Sequence, residues 1–214
     1  MKTVRLFYKK SGRAKYVSHL DTMRAMTRLL RRAQLPAWYT EGFNPHLYIT
    51  FAMPLSLGFS SDYELADIRL TDDGYPLDKI CSQLNATAPD GFCFFAAKEP
   101  VKKLPELAFA EFKIEFEDGG ALAEKLEKFL NLDDITVLKK TKKGVMKEIN
   151  VAPDIKRFCV TKGDGTTLFI TLPAGPQKTV NPELILSKFS SENGECYAKI
   201  TRTMLYDETL SPLE

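Results

Sequence analysis

Two stretches of about a hundred residues each run through the same succession of hydrophobic periods, which constrains the fold more than any other feature. In the first, Val4, Leu6 and Tyr8 recur at the two-residue period of a strand. A turn at Ser11-Gly12 leads into a helix over about 19–34, where Met23, Met26, Leu30 and Ala33 share one face and Pro36 acts as the stop. Strand signals follow near Trp38-Tyr39, continuing through 47–51, and again over 66–70. Leu77, Ile80, Cys81 and Leu84 mark a second helix, with Pro76 suited to its first turn, and 92–95 reads as a last strand.

Two prolines and three lysines in residues 98–105 then suggest an extended, solvated connector. Beyond it the pattern returns. Ala110, Phe112, Ile114 and Phe116 alternate with charged residues, and Leu122, Leu126, Phe129 and Leu130 mark a helix. Strands are predicted over 135–138, 155–160 and 167–172, the last two joined through Gly163-Asp164-Gly165. Asn181-Pro182-Glu183 starts a helix, and Cys196, Ala198 and Ile200 close the series as a strand. The expectation is an α+β chain of two tandem ferredoxin-like (βαββαβ) domains, the second with an extra β-hairpin. Their predicted limits are 1–98 and 108–214, with a linker over 99–107.

Charge is unevenly spread along the chain. Residues 1–50 carry ten Lys/Arg against Asp21 and Glu41, a net +8, while the other 164 residues net −6. The overall +2 therefore conceals a basic first domain, which points to a polyanion or an acidic partner surface. The four cysteines form no C-x-x-C pair, and their apolar surroundings read as buried, reduced thiols. There are only two histidines and no phosphate-loop, dinucleotide or zinc-hydrolase motif, so no cofactor and no metal are expected. No secretory signal and no apolar run of membrane-spanning length is seen, so the expected location is the cytoplasm.

The candidate residues gather in the basic region. Arg24, Arg28 and Arg31 form a guanidinium stripe off the apolar helix face, with Arg32 beside it, and arginine forks suit a row of phosphates. Lys9, Lys10, Arg13 and Lys15 in the preceding stretch enlarge the positive surface. Ser18-x-x-Asp21 fits a helix cap, placing His19 at the first helical position as a base or acceptor. Phe43, Asn44 and His46 lie in a turn-rich loop that either contacts a ligand or packs Phe43 inward. A second basic run, Lys139, Lys140, Lys142, Lys143 and Lys147, could clamp a nucleic-acid backbone.

The stretches SGRAKYVSHLDTMRAMTRLLRRAQLP and YTEGFNPHLYITFAMPLSLGFSSDYELADI resemble the uncharacterised bacterial radical-SAM-linked domain family, over about residues 3–70. That family typically follows Asn-Pro-His with proline, where this chain has Leu47. The resemblance implies a radical SAM protein as partner, in RNA or ribosome modification. The chain lacks the C-x-x-x-C-x-x-C that would let it start radical chemistry itself. The tandem layout also looks like the endoribonucleases that process CRISPR repeats, which can carry a histidine near the first helix.

The favoured expectation is a non-catalytic RNA-binding accessory module. The alternatives are a metal-independent endoribonuclease using His19, with His46 as a further candidate, and a module that docks an acidic protein.

Overall fold

The computed structural model describes residues 1–140 and 144–214 and divides into two compact units. Both are mixed α+β, built on antiparallel strands.

Unit 1 comprises Met1–Leu107 together with Ser211–Glu214. Its elements are β1 (Lys2–Lys10), α1 (His19–Arg32), β2 (Ile49–Phe51), β3 (Ser60–Leu70), α2 (Leu77–Asn85) and β4 (Phe92–Lys98). The strands lie in the order β4-β1-β3-β2, every neighbour antiparallel. Val4, Leu6 and Tyr8 fall on one face of β1 as their period predicts, and pack with Met26, Leu29 and Leu30 of α1 and Ile80 and Leu84 of α2. Burying one sheet face under two helices is the stable use of an alternating pattern. On the other face Arg5 is fully buried and forks onto Asp67, with Nε–Oδ1 at 2.7 Å and Nη2–Oδ2 at 2.8 Å.

Several local expectations are corrected. Trp38-Tyr39 is no regular strand; Ala37 bridges Leu70 and Tyr39 bridges Leu47 as isolated pairs. Met23 is exposed, and Thr22 and Leu29 complete the buried face of α1 in its place. Pro36 does not end that helix. Gln34 adopts a left-handed φ of 54°, its N–H donating to Arg31 O (3.0 Å) and the Leu35 N–H to Leu30 O (3.3 Å). That is a Schellman cap, with Leu30 and Leu35 both buried beside it. Pro76 is the N-cap of α2 rather than part of its first turn.

The predicted linker over 99–107 belongs to unit 1. Leu104 and Leu107 are buried, and the N–H groups of Val101 and Lys102 donate to Glu214 O at 3.0 and 2.8 Å. Residues 211–214, expected in the second domain, thus return to the first. There Tyr63 points its hydroxyl at Leu213 O, and burial, with the Glu214 charge, pushes its phenol up to about 12.

Unit 2 runs from Ala108 to Leu210. It holds β5 (Phe109–Phe116), α3 (Ala123–Leu130), β6 (Thr136–Lys140), β7 (Met146–Asn150), β8 (Arg157–Lys162), β9 (Thr166–Pro173), α4 (Pro182–Asn193) and β10 (Ala198–Tyr206). Its main sheet has the order β10-β5-β9-β8, all antiparallel, and β6-β7 forms a separate hairpin. Ala110, Phe112, Ile114 and Phe116 are buried as the alternation predicts, and Phe129 meets Phe189 edge-on at 5.3 Å between α3 and α4. Asn181 caps α4 by accepting the Glu183 N–H. Gly165 sits where a Cβ would lie 2.2 Å from Phe116 O, so the β8–β9 turn requires glycine.

The cysteines are free but not buried: Cys93 and Cys159 are exposed, Cys81 and Cys196 half-buried. Cys93 shows why. Phe92 and Phe94 take the inward positions of β4, and the strand period turns the residue between them outward. No helix among the described residues is long and apolar enough to cross a membrane.

Candidate nucleic-acid interface

Helix α1 begins as its sequence predicts. Ser18 is the N-cap, its Oγ accepting the Asp21 N–H at 3.1 Å and donating to Asp21 Oδ2 at 2.8 Å. Hydrogen bonds from Ser18 and then Arg24 hold the Asp21 carboxyl below its usual value. Packing of Thr22, Met26, Leu29 and Leu30 inward leaves Arg24, Arg28, Arg31 and Arg32 exposed. Their local partners differ. Arg24 pairs with Asp21 at 3.1 Å, so the stripe has an acidic partner there after all. Arg31 donates to the Tyr39 hydroxyl (2.6 Å) and lies 5.2 Å from that ring, and Arg32 donates to Thr87 O (3.1 Å). Arg28 and Arg13 make no side-chain hydrogen bond or ion pair among the described residues, and both are exposed.

The surrounding lysines contribute less than expected. Lys10 is buried and donates to Val17 O at 2.7 Å, so it does not add to the surface. Lys9 is exposed but pairs with Asp62 at 3.5 Å. Lys15 stays with the site, 5.0 Å from the ring of the exposed Tyr16. These residues stand on a short 3-10 turn, Gly12–Tyr16, held by Ser11 N–H donating to Gly91 O at 2.9 Å. Gly91 has φ +88°, and a Cβ there would lie 2.4 Å from Ser11 O.

The segment 38–51 runs beside α1, touching Arg31 through Tyr39 and His19 through Phe51, whose rings are 5.4 Å apart and nearly perpendicular. Thr40 and His46 close a loop at its base: Thr40 N–H donates to His46 O (2.8 Å), and His46 N–H to Thr40 Oγ1 (3.1 Å). His46 Nδ1 lies 3.0 Å from Thr40 Oγ1 and 3.2 Å from Asn44 O. Phe43, at the tip, has a relative exposure of 112% and does not pack inward. Asn44 and His46 are exposed with it.

His19 is only half-exposed. It lines a pocket of about 10 Å³ with Tyr8, Lys10, Thr22, Phe51 and Glu64, room for a single water. Thr22 Oγ1 is buried there without a hydrogen-bond partner among the described residues.

One arrangement was not legible in advance. Trp38 N–H donates to Arg69 O (2.8 Å) and Tyr48 N–H to Trp38 O (3.1 Å), which brings their side chains together. The Arg69 guanidinium sits 4.2 Å from the Tyr48 ring and 5.5 Å from that of Trp38. Trp38 and Tyr48 alternate with apolar neighbours and could have been singled out, but Arg69 is joined to them only by strand register. In unit 2, Lys139 is tied to Thr179 O at 3.0 Å, and Lys147 is exposed. Lys142 and Lys143 lie outside the described residues.

Comparisons with known proteins bear on the fold and the family. No curated protein matches the chain significantly. A chain in the solved structure titled "Crystal Structure of a Cbf5-Nop10-Gar1 Complex" is similar to it, with a TM-score of 0.52 at 10% identity. The match takes in 96% of this chain and 50% of that one, so this chain spans about half its length. At that identity the likeness shows the fold alone. A family model described as "Uncharacterized protein conserved in bacteria (DUF2344)" matches residues 3–182, taking in the arginine helix, the Phe43 loop and much of unit 2. The chain belongs to that family of uncharacterized proteins conserved in bacteria.

Proposed function

We propose that unit 1 binds unpaired RNA as a non-catalytic recognition module, and that its partner is a radical SAM enzyme acting in RNA or ribosome modification. The observation that carries the RNA reading is the fully exposed Phe43 on a loop beside a row of outward arginines, of which Arg28 has no local partner. A flat apolar ring held in water gains by stacking on a base, and guanidinium forks answer the phosphates on either side of it. The partner rests on the resemblance of residues 3–70 to the radical-SAM-linked domains. The strand orders β4-β1-β3-β2 and β10-β5-β9-β8 support reading both units as ferredoxin-like, a frame that serves many functions. Binding is favoured over cleavage because His19 is half-buried, edge-on to the Phe51 ring, and does not stand out with the exposed arginines of α1.

The test is RNA affinity in variants of the whole chain. Replacing Arg24, Arg28 and Arg31 together by Ala should weaken binding at least tenfold and lower the salt slope by about 2, since each phosphate contact on a single strand contributes roughly 0.7. Phe43→Ala should cost about 1–3 kcal/mol, the worth of one stacked base. His19→Ala should leave both affinity and RNA length unchanged. A folded triple variant that binds as tightly as the parent contradicts the proposal, and RNA shortened only when His19 is present would replace it with the nuclease.

A further inference from the structure

The edge of unit 1 formed by residues 37–39 and 47–51 carries an aromatic–arginine pair on each of its faces. Trp38 and Tyr39 are consecutive in extended chain, so their side chains leave in opposite directions. Tyr39 turns to the helix side and holds Arg31 through its hydroxyl. Trp38 turns to the other side, where Arg69 stands. The placement of Arg69 follows from its strand: Ile68 and Leu70 on either side are fully buried in the core, so Arg69 projects from the opposite face of β3.

The second pair differs from the ion pair beside it in what the arginine meets. Arg5 and Asp67, on the same face, hold each other in a two-pronged ion pair. Arg69 has no such partner: its side chain makes no hydrogen bond or ion pair among the described residues, and its guanidinium lies against the rings of Tyr48 and Trp38. The two rings are 5.8 Å apart and inclined at 53°, and all three residues are half-exposed. An arginine spread over an aromatic ring keeps its N–H fork free for phosphate oxygens and presents a flat cation on which a base can stack.

We infer that Trp38, Tyr48 and Arg69 form a second stacking platform, over which a single-stranded RNA passes after running along the arginine face of α1 and crossing this edge. The inference rests on the RNA reading of unit 1 and extends it. It adds three contact residues, and it makes the bound strand turn, at this edge, from the helix side of the unit to the opposite face, where Trp38, Tyr48 and Arg69 are half-exposed.

Trp38 is the one tryptophan in the chain, so its fluorescence reports this platform alone. A fluorescein-labelled dodecamer of uridine, and one of adenosine, would be titrated with the whole protein, reading binding by anisotropy; unlabelled dodecamers would be used to read tryptophan emission. The expected result is binding accompanied by quenching of Trp38 with the same midpoint. Arg69→Ala should weaken binding roughly tenfold with an unchanged melting temperature, and Arg69→Lys, which keeps the charge but not the planar fork, should recover only part of the loss. Because quenching is read on the parent protein, a variant that fails to fold does not remove the test. Binding without any change in Trp38 emission would overturn the second platform and leave the RNA reading standing. No binding by anisotropy would overturn both. Quenching by polyglutamate and not by either RNA would assign the platform to an acidic protein and overturn the inference.

Discussion

At the scale of single residues, polar groups in the two units have settled on different tasks. Asp118 serves the fold of unit 2. Burial alone would raise its pKa, but hydrogen bonds from Thr166, through hydroxyl and N–H, and from the N–H groups of Leu122 and Gly120 outweigh it and bring the carboxyl to about 2. The unfolded chain binds that proton near 3.8, so the contribution of Asp118 is complete above that pH and is lost as pH falls toward 2. Denaturant midpoints of the parent should therefore drop more steeply between pH 4 and pH 2 than those of Asp118→Asn; parallel curves would show that the carboxylate does not hold this turn. Phe43 and Arg28 do the reverse. Among the described residues they make no side-chain hydrogen bond, ion pair or ring contact, and they are set outward by elements anchored elsewhere.

Helix α1 is the element on which the proposed interface depends, and its two ends differ in how plainly they are written. The start is local: a serine, an acid three positions on and a buried stripe are enough to place it, and Ser18, Asp21 and Met26 sit where the spacing predicts. The end is not. Proline at 36 is a conspicuous stop, yet the chain has already left the helix at Gln34, through a left-handed conformation that glycine would adopt at less cost. Gln34→Gly should raise stability by about 0.5–1 kcal/mol, read as a higher denaturant midpoint with the same slope. A lower midpoint would mean that the exposed Gln34 side chain contributes something that the cap geometry does not reveal. The same contrast explains what else was legible. Hydrophobic period located the helices and most strands of both units, because burial on one face is a one-dimensional signal; β7, mostly exposed, gave no such signal. The bridges of Trp38-Tyr39, the return of 211–214 to unit 1 and the meeting of Arg69 with Tyr48 depend on pairing between distant segments, which period does not encode. Lys10 misleads for a related reason: as the last residue of β1 it continues the inward face of Val4, Leu6 and Tyr8, and its ammonium turns to the Val17 carbonyl instead of to water.

For the whole molecule, the partition of charge is the property from which the account starts. Ten cations and two acids in the first fifty residues give a local +8 within a chain of net +2, and the structure engages half of those cations internally: Lys2 on Glu99, Arg5 on Asp67, Lys9 on Asp62, Lys10 on Val17 and Arg24 on Asp21. Arg13, Lys15, Arg28, Arg31 and Arg32 lie on or just before α1. Such a surface attracts any polyanion, so affinity alone says little; its dependence on salt says how many phosphates are neutralised. The most direct measurement is therefore a titration of the whole protein with single-stranded RNA across a range of salt concentrations, in the presence of chelator, with the recovered RNA sized on a denaturing gel. The account predicts intact RNA and an affinity that falls with a log–log slope of about −2 or steeper, as expected for three or more phosphate contacts. An affinity indifferent to salt, or no binding at the lowest salt, would contradict it.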